Sequence, residues 1–246
     1  MITTSSIDPE LSQDEVHLWT VPLDCAPSRV GDLRQTLSKD EEERADRFYF
    51  QKGRDQFVVC RAWLRIILGR YLRVPPPELE FRYNSYGKPS LENESEGEPL
   101  LFNLSHSDDL ALLAVSKRRD IGIDIERIRD NVAFEQIADR YFTVREMETI
   151  REAPESKRAQ IFFSLWTCKE SYIKAKGMGL SIPLDRFEVT LGEGDLANLA
   201  LKEDPEEAAR WSLQRFTPRD DYVGAITVQG HGWRLKRLSN QLLSSG

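Results

Sequence analysis

Asp124 and Glu126 stand two apart in Gly122-Ile123-Asp124-Ile125-Glu126, inside an apolar run whose Ile123, Ile125 and Ile128 read as strand. Residues two apart on a strand leave the same face, so two carboxylates are set side by side next to isoleucines bound for a core. Such a pair repels and loses hydration unless a cation lies between its members. A third acid, Glu170, follows in the helical pattern from Phe163 to Lys174, in the company of Lys169 and Lys174. Trp166, Glu170 and Lys174 are spaced by four and share one helix face. Three hard oxygen donors with ammonium groups nearby suit Mg²⁺ holding a phosphate-bearing substrate. The competing reading of the strand acids is a charged edge that discourages pairing. For Glu170 it is a surface pair with Lys174 at i,i+4, which is compatible with a metal role.

Other groups could join that chemistry. Arg44, Arg47, Arg54 and Arg61 carry guanidinium forks suited to phosphate, and Lys88 sits in a turn between Gly87 and Pro89. Ser105 and His106 are neighbours, but no strand–Gly-x-Ser-x-Gly turn is present to make them a hydrolase pair. Glu146 has two readings. It closes a capping box with Thr143, and a carboxylate there could equally serve as a general base. Cys168 beside Lys169 reads as a core thiol.

These residues need elements to hold them. Val16–Val21 reads as a strand; Ser38-Lys39-Asp40-Glu41 caps a helix running through Phe48; Phe57, Cys60, Leu64, Ile67 and Tyr71 mark a second helix from about Asp55, ended by Pro75-Pro76-Pro77. Strands follow near Leu79–Tyr83, Leu100–Asn103 and Ala111–Val115, with Glu92–Glu98 as a loop. After the Asp124 strand come helices near Ala133–Arg140 and Val144–Arg151, and a long one from about Lys157 to Lys176 closed by Gly177. Strands near Arg186–Leu191, Trp211–Phe216 and Tyr222–Val228 complete the chain. Each half reads strand, helices, strands, divided as residues 1–117 and 118–246, with the metal cluster in the second.

The 246 residues suffice for one large domain or two small ones. No apolar run approaches a membrane span and the N-terminus lacks a signal-peptide pattern. Three scattered cysteines indicate neither a disulfide framework nor a zinc site, so a cytoplasmic location is expected. A net charge of −7 argues against nucleic acid as a partner. The charge is uneven, however: residues 29–73 hold eleven basic and seven acidic residues, a surface able to receive a polyanion or an acidic protein.

The two acidic blocks resemble the signatures of the Sfp-type 4′-phosphopantetheinyl transferases, G-[IV]-D-x-E and [FW]-[SCT]-x-K-E-[SA]-x-x-K. The second runs here from Trp166 to Lys174 without a departure. Tyr86-Gly87-Lys88-Pro89, Phe102-Asn103-Leu104-Ser105-His106-Ser107 and Gly177-Met178-Gly179-Leu180-Ser181 look like further landmarks in the family's order. The resemblance implies an α+β fold of two similar halves in a pseudo-twofold monomer, with coenzyme A between them. It implies transfer of phosphopantetheine to a serine of an apo carrier protein, with release of 3′,5′-ADP. Asp124, Glu126 and Glu170 would be the Mg²⁺ ligands, Lys169 and Lys174 the diphosphate contacts, and Glu146 the matched acid. Ser105 and His106 match contacts to the 3′-phosphate, and Lys88 could reach the adenosine end. Some relatives have a lysine pair where this chain has Glu41-Glu42-Glu43-Arg44, which leaves open which of Arg44, Arg54 and Arg61 meets the 3′-phosphate. Two rivals remain: a Mg²⁺-dependent phosphohydrolase or nuclease, and a binding module without activity. The first leaves the Asn-Leu-Ser-His-Ser segment unexplained; the second is expected to have lost a ligand or lysine, and none is missing.

Overall fold

A computed structural model describes residues 9–92, 98–129 and 134–240; most of the expected acidic loop and the start of the helix placed at Ala133 lie outside them. The first half runs β1 (Glu15–Pro22), α1 (Pro27–Arg34), α2 (Lys39–Asp46), α3 (Gln51–Leu72), the hairpin β2 (Phe81–Tyr83) and β3 (Pro89–Leu91), β4 (Leu100–Ser107) and β5 (Leu110–Lys117). The second runs β6 (Ile121–Arg127), α4 (Phe134–Tyr141), α5 (Val144–Glu152), α6 (Glu155–Lys176), β7 (Phe187–Leu191), β8 (Leu196–Leu201), α7 (Pro205–Ala208), β9 (Trp211–Phe216) and β10 (Tyr222–Gln229). The last strand, β11 (Arg234–Ser239), returns to the first half and pairs with β1 in parallel. The class is α+β.

Two sheets, ordered β11-β1-β5-β4 and β6-β10-β9-β8-β7, carry these halves. Strand alternation divides their side chains between three cores. Trp19, Val21, Leu113 and Val115 pack beneath Val58, Leu64, Ile67 and Leu68 of α3. Val189, Leu213, Val223 and Ala225 meet Phe162, Leu165, Cys168 and Tyr172 of α6. The opposite faces close on one another, Val16, Leu18, Leu112 and Ala114 against Ile121, Ile123, Ile125, Ile226 and Val228. The layers are therefore helix, sheet, sheet, helix. Each buried aliphatic or aromatic side chain contributes about 1.5–3 kcal/mol, so β6, which is buried nearly throughout, is held in a fixed register. No described helix is long and apolar enough to cross a membrane.

The edges β4 and β6 meet along a polar seam. Asn103 Oδ1 accepts from the Ile123 amide at 2.8 Å, Ser105 Oγ donates to Asp124 Oδ1 at 2.9 Å, and Ser107 Oγ donates to Glu126 Oε2 at 2.8 Å. At one end Lys88 Nζ donates to the carbonyls of Ile121 (3.1 Å) and Ala175 (2.8 Å). At the other, Asp108 pairs with Arg127 and Lys52, and Asp109 with Arg219. The halves are strapped together on both sides of the acidic pair.

Candidate active site

Gly122 decides how closely α6 approaches β6. A Cβ at Gly122 would stand 2.0 Å from the Ser171 carbonyl oxygen and 2.3 Å from the Ala175 amide nitrogen, so only glycine lets the helix backbone rest on the strand. That contact, between Ser171 and Ala175, sets Glu170 and Lys174 beside Asp124, two residues along the strand. The odd positions Ile121, Ile123 and Ile125 enter the intersheet core, while Asp124 and Glu126 face α6.

Asp124 is 4% exposed. Its Oδ1 accepts from Lys174 Nζ at 2.6 Å and from Ser105 Oγ, and Lys174 also donates to Ser105 Oγ at 3.1 Å. Its Oδ2 is buried with no hydrogen-bond partner, a costly condition for a carboxylate oxygen. Burial raises the Asp124 pKa against the opposing pull of Lys174. Burial and then the Asp124 charge raise that of Glu126. Glu170 is pushed up to about 7, first by burial and then by Asp124. Three desolvated carboxylates within electrostatic reach, one with an orphaned oxygen, form a donor set short of positive charge. Among the described residues no three acidic, histidine or cysteine side chains are gathered into a preformed metal site; Lys174 neutralises Asp124 instead. The donor chemistry fits Mg²⁺, an ion that commonly takes a few protein carboxylates and keeps water and phosphate in its other positions.

A family model described as the 4′-phosphopantetheinyl transferase superfamily matches residues 120–227. A second, described as the N-terminal part of 4′-phosphopantetheinyl transferase, matches 26–118. The chain is 46% identical over 226 residues to the 4′-phosphopantetheinyl transferase HetI of Nostoc sp., covering 92% of each chain. The chain belongs to the 4′-phosphopantetheinyl transferase superfamily. It is also 31% identical to the L-aminoadipate-semialdehyde dehydrogenase-phosphopantetheinyl transferase of Homo sapiens, over 82% of this chain and 71% of that one. With the Sfp transferase of Bacillus subtilis the identity is 30%, over 67% and 71%.

The superfamily's signature residues do not all gather in one place. Ser105, Asp124, Glu126, Glu170 and Lys174 come together. Because β4 continues through Ser107, Ser105 and His106 leave opposite faces: Ser105 turns to Asp124, and His106 is exposed, its imidazole pKa lowered by partial enclosure and by Lys174. The two side chains therefore point apart in this structure. Lys88, expected near adenosine, spends its ammonium on the seam. Arg44 lies over the Phe57 ring at 5.3 Å, and Arg54 donates to Gln51 of its own helix. Arg61 donates to Glu41 Oε1 at 2.7 Å and stacks on Phe81. All three stand on the first half's helices, where Glu41 also holds the buried Arg65.

Lys169 and Glu146 engage one another inside the second half. Lys169 is wholly buried, and its ammonium donates to the Leu184 and Phe187 carbonyls at 2.7 Å each and pairs with Glu146 Oε1 at 2.9 Å. Those three contacts engage all its protons in this structure. Glu146 is 1% exposed; Oε2 accepts from the Thr143 amide, completing the capping box, and Oε1 from the Val189 amide. The cap, one of the two readings open in the sequence, is the one the contacts bear out. Cys168 is buried, its thiol pushed up to about 12 by desolvation. Asn103 and Ser107 join Ser105 on the seam, and the alternation of small polar residues in Asn103-Leu104-Ser105-His106-Ser107 is the signal for them in the sequence.

Proposed function

We propose that this protein transfers the 4′-phosphopantetheine group of coenzyme A to a serine of an apo carrier protein, releasing 3′,5′-ADP. The observation that carries this reading is the cluster of Asp124, Glu126 and Glu170 against Lys174 and Ser105, in a chain of this superfamily. Asp124, Glu126 and Glu170 would hold Mg²⁺, which when bound supplies positive charge to the diphosphate oxygens and the leaving group. Lys174, on a flexible stem with a 30% exposed side chain, can transfer its ammonium from Asp124 to phosphate. Ser105 orients Asp124, and Ser107 orients Glu126. The relative named Sfp and the human relative support the same class of reaction. The protein is taken to act as a cytoplasmic monomer. Incubation with coenzyme A, Mg²⁺ and a panel of apo carrier proteins should add the mass of phosphopantetheine to at least one. Release of 3′,5′-ADP without a carrier would favour a phosphohydrolase instead.

The acidity of Glu170 gives the metal a pH signature. Its folded-state pKa, about 7, lies above the ordinary 4.5. Its contribution to stability is therefore full below about 4.5 and lost as pH rises through 7. Mg²⁺ needs the ionised form, so binding must displace a proton below pH 7, weakening it about tenfold per pH unit. The rise in melting temperature caused by Mg²⁺ should be larger at pH 8 than at pH 6. A rise of equal size at both would remove Glu170 from the ligand set.

A further inference from the structure

Between α2 and α3 the chain turns through Phe48, Tyr49 and Phe50. Phe48 folds back on Phe57, with ring centroids 5.3 Å apart. Tyr49 and Phe50 do not: they are 91% and 73% exposed and pack only edge to face on one another, at 4.9 Å. Neither belongs to the core beneath α3. Two adjacent aromatic rings held in water form an exposed apolar patch.

The charges beside these rings are mainly basic. Residues 44–54 include Arg44, Arg47, Lys52 and Arg54, with Asp46 as the sole acid, in a chain whose net charge is −7. Asp46 is itself paired with Arg34 at 2.7 Å. The position is also specific. Lys52 Nζ reaches Asp108 Oδ1 at 3.3 Å; Asp108 pairs with Arg127, and the preceding Ser107 holds Glu126. The aromatic turn therefore stands on the rim of the acidic cluster, on the half of the molecule opposite α6.

We propose that Tyr49 and Phe50, ringed by these basic side chains, form a docking surface for the carrier protein, taking an apolar patch bordered by acidic side chains. This rests on the transfer reaction proposed above and names where its protein substrate sits. The rings project from a turn, whereas small ligands are held in concave sites that enclose them. Tyr and Arg are favoured where proteins meet, and an apolar centre inside a charged rim is the usual anatomy of such a contact. A carrier protein seated here has its serine near the carboxylates, with electrostatic attraction to set its approach.

The test uses the full-length protein and an apo carrier domain (acyl, peptidyl or aryl) that the unmodified enzyme loads. The double variant Y49S/F50S should raise KM for that carrier at least tenfold. Its kcat and its KM for coenzyme A should stay within twofold, with an unchanged melting temperature, since neither ring supports the core. Arg47→Glu should raise the same KM and weaken its dependence on salt. An unchanged carrier KM in Y49S/F50S overturns the docking surface while leaving the reaction intact, and a rise in KM for coenzyme A alone assigns the rings to the small substrate and overturns it as well. No transfer by the unmodified enzyme to any carrier overturns the reaction itself and this surface with it.

Discussion

Asp124→Asn is expected to cut phosphopantetheine transfer at least about a thousandfold without lowering the melting temperature. At 1.36 kcal/mol per tenfold this is about 4 kcal/mol of transition-state stabilisation, within what a bound cation supplies to a transferring phosphoryl group. Asparagine has nearly the same shape, and its Oδ1 can still accept from Ser105 and Lys174. What it removes is the negative charge, together with the oxygen left without a partner. In the folded protein that charge is disfavoured, because burial raises the Asp124 pKa. The aspartate's contribution to stability is present below the ordinary carboxyl range and is lost as pH rises through the raised value. The variant should gain on the unmodified protein as pH rises. Single-turnover transfer with saturating coenzyme A and Mg²⁺, with melting curves at pH 5 and pH 8, measures both. Transfer within tenfold of normal at ordinary Mg²⁺ would sink the assignment of Asp124 as a ligand.

The legibility of this site in the sequence follows the range of the interactions involved. Ile123, Asp124, Ile125 and Glu126 are arranged by strand alternation alone, a period of two that any reading can apply, and β6 divides them as expected. Helix α6 runs from Glu155, two residues before its expected start, and ends where Gly177 takes a φ of 67°. Gly122 was visible as part of a motif, but its purpose, the resting of the α6 backbone on the strand, is a contact across about fifty residues. The Glu146–Lys169 pairing was hidden for the same reason. A capping box and a charged helix position are local patterns; that the two charges neutralise each other inside the second core depends on how α5, α6 and β7 pack. The strands β8 and β11 had no clear local signal. β11 alternates weakly, Arg234-Leu235-Lys236-Arg237-Leu238, and exists as a strand because β1 offers it an edge more than two hundred residues away. Ser105 and His106 are separated by a strand that extends four residues beyond its apolar start at Leu100–Asn103, since its polar side chains bond to β6 and so do not signal burial.

The Lys169–Glu146 pair supports the last prediction, in which stability and not chemistry should fail. As a simple cap, Glu146 could be replaced by Gln at little cost, because either residue closes a capping box. The contacts change that expectation. Glu146 serves the Thr143 amide through one oxygen, and the Val189 amide and Lys169 through the other. Gln has one acceptor oxygen, and its NH₂ must face either an N–H or the ammonium. Lys169 is then left buried without a counter-charge, which costs about 3–5 kcal/mol. Lys169→Met strands the carboxylate in the same way and leaves the Leu184 and Phe187 carbonyls without a donor. Each single variant should therefore lose about 3–5 kcal/mol. With a urea m-value of about 1–3 kcal/mol/M, the midpoint falls by 1 M or more. The double variant K169M/E146Q should lose less than the two losses added together, because the second substitution removes the charge that the first left unpaired. At a temperature where each variant remains folded, single-turnover transfer should stay within about tenfold of normal, since neither side chain reaches the acidic cluster. A general base at Glu146 gives the opposite pattern, turnover lost with an unchanged melting curve, and that pattern would overturn the assignment of the pair to the core.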